Sequence, residues 1–206
     1  MIYVEYLNNL LTEEVNKKKE IVIFGQNVHA GSYLSGLTRG FNNKNGNILL
    51  NTQNSENSLV GFGFGLMLNN ISSIYFMKQL DFLLLSIDQL VNTFNILRLK
   101  KTKSSFTIFP ITVDSGYEGP QSSLNNLDDF CSIAGIEAFS ITNKSDSKYI
   151  IKNKLVSPGF RIITTGQKLL KKNVIDLNIV HKNKNFFQYS KGRDLSIICF
   201  NQSLDY

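Results

Sequence analysis

The chain has 206 residues, of which 42% are hydrophobic, and this is enough to build one packed domain with a small appendage. The composition therefore excludes a disordered or fibrous protein. The formal net charge of +6 is spread among many asparagines and forms no aromatic-flanked basic stripe, so we expect no nucleic-acid binding. No apolar run reaches membrane-spanning length and the first residues lack a signal pattern, so we expect a cytoplasmic protein without a membrane anchor.

Strand and helix signals alternate along the first 165 residues. Apolar residues at helical spacing predict a helix over residues 3–16, and the wholly apolar run at 21–25 predicts a buried parallel strand. Further strands are predicted at 48–50, 74–76, 106–113, 136–141 and 160–164. Helices are predicted at 34–41, 56–66, 82–99, 127–133 and 145–153. This order is typical of an α/β fold with an open, mostly parallel sheet and helices on both faces, which binds ligands at the carboxyl ends of its strands.

The character of the sequence changes after residue 165. Residues 168–191 are basic and polar and predict an extended linker, whereas the apolar run at 192–200 predicts one more strand. A single strand cannot form a domain, so it must pair with this sheet, pair with a partner chain or remain loosely held. We therefore divide the chain into a domain of residues 1–165 and a tail of residues 166–206.

The densest local pattern is the polar turn that follows the second predicted strand. Glu56 comes at the end of this turn, in the first turn of the next helix. Ser55 as a helix cap and Glu56 as a complement to the helix dipole explain the pattern without any function. The glycines at 61, 63 and 65 lie inside the helix and not between strand and helix, so they indicate close packing and not a phosphate-binding loop.

The run Thr52-x-x-Ser55-Glu56-x-x-x-x-Gly61-x-x-x-Gly65 resembles the segment that carries the activating glutamate in thiamine-diphosphate enzymes, whose pyrimidine-binding domain is transketolase-like. It is most similar to the β subunit of the decarboxylating component of 2-oxo acid dehydrogenases. The resemblance covers roughly residues 3–165 and, weakly, 192–200. Other segments in the family's order are the first helix and strand, Thr38-Arg39-Gly40-Phe41, Asp81-Phe82 with Ile87-Asp88-Gln89, Gly119-Pro120 and Ala134-Gly135-Ile136.

The resemblance implies roles for three residues. It assigns to Glu56 the carboxylate that shares a proton with a nitrogen of the cofactor's aminopyrimidine ring, which favours the imino tautomer that removes the thiazolium proton. Phe82 matches the family's aromatic residue that stacks on this ring, and Asn54, in the same turn as Glu56, is expected to contact the cofactor. Without the resemblance, Phe82 is interpreted as an ordinary core residue of an amphipathic helix. Asp88 and Gln89 are interpreted as structural.

Two departures from the family concern charged or titratable groups. Gly25-Gln26-Asn27 stands where the family has Gly-Glu-Asp, and Gln121 and Ser122 occupy the place of a loop histidine that handles substrate protons. His29 follows the first strand and is a candidate to replace that histidine, although a loop histidine is more often structural. We therefore expect cofactor activation to be retained and substrate handling to be altered.

The chain lacks the family's Gly-Asp-Gly with a downstream Asn, and it shows no metal-ligand spacing of its own. The resemblance then implies that a diphosphate-binding, α-type subunit holds Mg²⁺ and the diphosphate in a heterotetramer with this chain, and that the tail is a remnant of the family's C-terminal domain. The expected activity is decarboxylation of a small keto substrate or transfer of its two-carbon or acyl unit. The alternatives are a noncatalytic partner that keeps the fold to stabilise or regulate a paralogue, and nucleic-acid binding by the basic segment.

Overall fold

A computed structural model describes residues 1–114, 125–183 and 186–205 of the chain. Six strands form one sheet, in the order β2-β1-β3-β4-β6-β5, and every neighbouring pair is parallel. The strands are β1 (Val22–Gly25), β2 (Ile48–Asn51), β3 (Ser73–Met77), β4 (Ser105–Thr112), β5 (Glu137–Ile141) and β6 (Gly159–Gly166). The predicted fold class, an open parallel α/β sheet, is confirmed.

Helices cover both faces of the sheet, as predicted. They are α1 (Tyr3–Lys17), α2 (Glu56–Leu68), α3 (Phe94–Leu97), α4 (Leu127–Ala134), α5 (Lys144–Lys154) and α6 (Gln167–Leu170). Side chains alternate along each strand, so Ile23 faces the core beneath α1, α5 and α6, whereas its neighbour Phe24 faces the core beneath α2 and α4. Both strand faces are therefore apolar, which explains the continuous hydrophobic runs in the sequence.

The helix predicted at residues 34–41 is wrong. The chain there makes only a short 3₁₀ turn, Leu34–Gly36, with left-handed backbone at Tyr33, Leu34 and Ser35, whose φ angles are 50°, 50° and 60°. Leu37 is nevertheless buried, and the Thr38 hydroxyl donates a hydrogen bond of 2.8 Å to the carbonyl of Val28. The apolar spacing thus reflects side chains that a loop inserts into the core, and not one face of a helix.

The single long helix predicted at residues 82–99 is also wrong. A 3₁₀ segment, Leu80–Ser86, precedes a π turn, Gln89–Thr93, and the short α3. Within the described chain no single helix is long and apolar enough to cross a membrane; the 3₁₀ segment together with residues 89–97 meets the length and composition criteria as a pair bent by 73°. The bend lies between Ser86 and Gln89, just before the π turn, and it lets both halves bury leucines against the sheet.

The tail differs from its prediction in two respects. It begins with α6, whose Leu169 and Leu170 are buried. It also contains two antiparallel strands of two residues each, β7 (His181–Lys182) and β8 (Phe187–Gln188). Residues 192–200 form no strand in this chain, and their apolar side chains are 74–80% exposed at Leu195, Ile197, Ile198 and Phe200. A run of apolar residues alone cannot form a strand, because a strand needs a neighbouring strand edge with which to exchange hydrogen bonds. The domain boundary at residue 165 stays a prediction.

Candidate functional site

A solvent-open cleft lies at the carboxyl ends of β2, β1 and β3. Strand β1 pairs with β2 on one side and with β3 on the other, so the chain reverses its direction across the sheet at this point, where open α/β sheets bind ligands. The cleft is shallow: its enclosed volume is about 10 Å³, about the room that one water molecule needs, and the remaining space opens at its mouth. It is lined by Gln26, Gln53, Asn54, Glu56, Leu59, Tyr75, Phe76, Met77, Lys78 and Phe82.

Glu56 is held at the cleft by the connection between β2 and α2. Strand β2 ends at Asn51, and Glu56 is the first residue of α2, where its negative charge complements the positive end of the helix. Ser55 occupies the cap position, but its side chain makes no capping bond; its hydroxyl donates to the Ser58 hydroxyl oxygen instead, at 2.9 Å. Ser55 is thus the N-cap residue, as predicted, but without a side-chain capping bond. Glu56 is half-buried in the cleft wall.

Phe82 reaches the same cleft from the 3₁₀ segment that follows β3. A 3₁₀ helix has three residues per turn, so Leu80, Leu83 and Ser86 lie on one side, and all three are fully buried. Phe82 lies off this side, is half-buried and packs against the core while lining the cleft. The anchored side of the segment thus holds the ring of Phe82 at the cleft surface.

The other predicted site residues have different positions. Asn54 is exposed and lines the cleft. His29 is also exposed but is not among the lining residues, and its backbone N–H donates a hydrogen bond of 2.8 Å to Asn51 Oδ1. The catalytic role of His29 therefore stays a prediction. Gln121 and Ser122 lie outside the described residues.

Several residues that line the cleft were not among the predicted site residues. Gln26, Gln53 and Lys78 each follow the carboxyl end of a strand, so the rule that parallel sheets bind ligands at this edge could have identified them. Tyr75 carries no such signal, because it lies inside β3 among apolar residues. Of the lining residues, Glu56 and Lys78 are charged, and the described part of the chain contains no group of three His, Cys, Asp or Glu residues suited to a metal ion.

Tyr75 is the cleft residue with a perturbed titration. Burial raises the pKa of its phenol well above the usual value, and the negative charge of Glu56 raises this pKa further. The phenol therefore remains protonated through the neutral range. Tyr75 and Glu56 line the same cleft.

The glycines of α2 have unequal roles in holding the helix against the sheet. A Cβ added to Gly63 would lie 2.2 Å from Cζ of Phe106 in β4, which leaves no room for any side chain. A Cβ at Gly61 would lie 3.5 Å from the Gln89 side chain, and one at Gly65 would meet no atom within 4 Å. The close packing predicted for these glycines is confirmed at Gly63 and is wrong at Gly65.

Sequence comparisons relate the chain to one group of proteins, although no family model matches it. It is 27% identical over 164 residues to the pyruvate dehydrogenase E1 component subunit beta of Staurastrum punctulatum, covering 76% of this chain and 49% of that protein. It is 32% identical over 96 residues to the same subunit of Chaetosphaeridium globosum, covering 45% of this chain and 29% of that protein. The chain thus spans half or less of the length of these curated relatives.

Structural comparisons agree on the fold. A split-gene transketolase, solved as an inactive β4 tetramer, matches with a TM-score of 0.59 at 13% identity, over 79% of this chain and 50% of that chain. The 2-oxoglutarate:ferredoxin oxidoreductase from Magnetococcus marinus matches with a TM-score of 0.56 at 11% identity, over 81% of this chain and 29% of that chain. The predicted resemblance to a transketolase-like pyrimidine-binding domain is confirmed.

Proposed function

We propose that this chain is the pyrimidine-binding subunit of a two-chain thiamine-diphosphate enzyme. The observation that carries the proposal is the meeting of Glu56 and Phe82. The two residues come from separate sequence motifs, yet both line one cleft at the carboxyl ends of the strands. A purely structural role for either motif would not explain why both side chains line the same cleft.

The chemistry of the cleft suits an aminopyrimidine ring. Such a ring is flat and carries hydrogen-bond donors and acceptors at its edge, and the cleft offers an aromatic face at Phe82, a carboxylate at Glu56 and side-chain amides at Gln26, Gln53 and Asn54. Bound cofactor would supply a nucleophilic carbon in its thiazolium ring. Glu56 would share a proton with a ring nitrogen, while Phe82 and Leu59 would keep water from the ring faces.

A partner chain is part of this proposal, and two features of the surface support it. Among the described residues that line the cleft, Lys78 is the single cation, which is little to hold a diphosphate. Phe62 on α2, and Leu84 and Leu85 on the 3₁₀ segment, are exposed apolar side chains on the elements that build the cleft. Exposed apolar groups of this kind favour contact with another protein. The proposed partner is a diphosphate-binding, α-type subunit that holds Mg²⁺, in a heterotetramer.

Co-expression with a chain that carries Gly-Asp-Gly and a downstream Asn tests the proposal. We expect the two chains to co-purify. We also expect the complex to bind thiamine diphosphate with Mg²⁺ at least tenfold more tightly than either chain alone, because groups on both chains would contact the cofactor. A tenfold difference in affinity corresponds to about 1.4 kcal/mol of binding free energy. Calorimetric titration of the complex and of each chain measures this difference. Equal cofactor affinity of the partner with and without this chain would contradict the proposal.

The proposed reaction is decarboxylation of a small keto substrate or transfer of a two-carbon or acyl unit, of transketolase or 2-oxo acid dehydrogenase type. A noncatalytic partner subunit is the alternative, and the replacement of the family's Glu-Asp by Gln26-Asn27 favours it because the cleft loses the charge at Gln26. Turnover of the complex with Glu56→Ala separates the two functions. Unimpaired turnover supports the noncatalytic role, and loss of turnover supports the catalytic one.

Phe82→Ala should weaken binding of thiamine diphosphate to the complex by about tenfold or more, since stacking of a base on an aromatic side chain contributes roughly 1–3 kcal/mol. Titration calorimetry measures the loss. Phe187→Ala is the matched control, because Phe187 is also half-buried but packs against the opposite face of the sheet, outside the cleft lining. Equal losses for both variants would show that Phe82 acts through the stability of the chain and not through stacking of its ring.

A further inference from the structure

Tyr75 is held rigidly in the wall of the cleft. It lies in β3 directly beside Phe24 of β1, and the two rings stack at 5.1 Å with an interplanar angle of 2°. Phe24 is contacted in turn by the edge of Phe62 from α2, at 5.1 Å. Tyr75 is only 3% exposed, yet it lines the cleft together with Glu56. Its ring is therefore fixed, and a small part of the side chain reaches the cleft.

The hydroxyl group of Tyr75 has an unused hydrogen-bonding capacity. None of the hydrogen bonds within the described residues involves this hydroxyl or the Glu56 carboxylate. The hydroxyl oxygen is not among the enclosed polar atoms that lack a partner, so it reaches the open cleft, whereas a phenylalanine would stack on Phe24 equally well. Because burial and the charge of Glu56 raise its pKa, the phenol keeps its proton at neutral pH and can donate it in a hydrogen bond.

We infer that Tyr75 is a positioning residue for Glu56: its hydroxyl donates a hydrogen bond to the Glu56 carboxylate when a pyrimidine ring enters the cleft. A carboxylate has two oxygen atoms, and a ring nitrogen engages one of them. Entry of the ring removes water from the other oxygen, which then needs a donor from the protein. The neighbouring Tyr75 hydroxyl is suited to supply this donor and so to orient the carboxylate.

This inference rests on the proposed function, and a double-mutant cycle on the assembled complex tests it. The variants are Tyr75→Phe, Glu56→Gln and their combination, and the measurement is the affinity for thiamine diphosphate with Mg²⁺. We expect Tyr75→Phe to lower the affinity by about tenfold, as is typical for loss of a hydrogen bond to a charged group. In the Glu56→Gln background the same change should lower it less than about twofold, because the group on which Tyr75 acts is already changed.

Thermal unfolding provides a readout of structure. Tyr75→Phe keeps the ring stack, so we expect its unfolding midpoint to match that of the unmodified complex. Tyr3→Phe is the contrasting control: its hydroxyl is buried under the opposite face of the sheet and bonds to Ser147 Oγ at 2.7 Å. That variant should lower the unfolding midpoint and leave the cofactor affinity unchanged.

The possible outcomes separate the inference from the proposal on which it rests. Equal losses of affinity from Tyr75→Phe in both backgrounds would overturn the inference, since Tyr75 would then act independently of Glu56. No loss from Tyr75→Phe, with a loss from Glu56→Gln, would overturn the inference and leave the proposed function standing. Absence of cofactor binding by the unmodified complex would overturn both.

Discussion

Glu56→Gln should slow proton exchange at the thiazolium carbon of bound thiamine diphosphate by at least about a hundredfold, the scale of acid–base catalysis by a positioned side chain. Glutamine has nearly the same shape as glutamate but cannot share a proton with a ring nitrogen. The shape of the cleft would therefore persist while the proton function is lost. Deuterium exchange of the loaded complex, stopped by acid and followed by NMR, measures the rate.

Asp129→Asn is the control for this change. Asp129 is exposed and occupies the first turn of α4, as Glu56 occupies the first turn of α2, and it lies outside the cleft lining. Removal of either charge should cost the helix about 0.3–1 kcal/mol of dipole interaction. Only Glu56→Gln should slow the exchange. An undiminished exchange rate in that variant would show that Glu56 is an ordinary residue of a helix start.

Gly63→Ala should lower the free energy of unfolding by about 2 kcal/mol or more, since overpacking of a full core typically costs 1–3 kcal/mol. The added Cβ would lie 2.2 Å from Cζ of Phe106, which is fully buried. That ring cannot move aside easily, because the rings of Phe64 and Phe160 pack against it, each with a distance of 5.2 Å between ring centroids. Urea unfolding of the full chain measures the change.

Gly65→Ala is the matched control on the same helix. A Cβ at Gly65 meets no atom within 4 Å, so the substitution should stabilise the helix by roughly 0.5–1 kcal/mol through its backbone preference. The two substitutions are chemically identical and two residues apart, yet their effects should have opposite signs. Similar effects at both positions would contradict the packing described for α2.

The strands were predicted well because their signal is local. A buried parallel strand is apolar on both faces, and runs such as 21–25 and 106–113 satisfy this condition whatever their partners are. Helices α1 and α5 were predicted for a similar reason, since each buries one face against the sheet. The parallel order then placed the ends of β1, β2 and β3 on one edge, where the site was expected.

The failures arose where tertiary contacts override local preference. Residues 34–41 have helical spacing, but their apolar side chains enter the core from a loop with left-handed backbone. Residues 80–97 bend by 73° because both halves bury leucines against the sheet. A straight helix cannot follow two directions of the core surface. Residues 80–97 contain no proline, so the sequence does not indicate the bend.

By itself, the sequence determined the α/β class, the position of Glu56 at the start of a helix and the likeness of its motif to that of thiamine-diphosphate enzymes. These features depend on residues close together in the chain. Only the tertiary structure decided that Glu56 and Phe82 share a cleft and that Gly63, and not Gly65, is required by packing. It alone placed Tyr75 and Glu56 at one cleft, because this arrangement depends on the register of β1 and β3 and on the packing of α2, which no local pattern encodes.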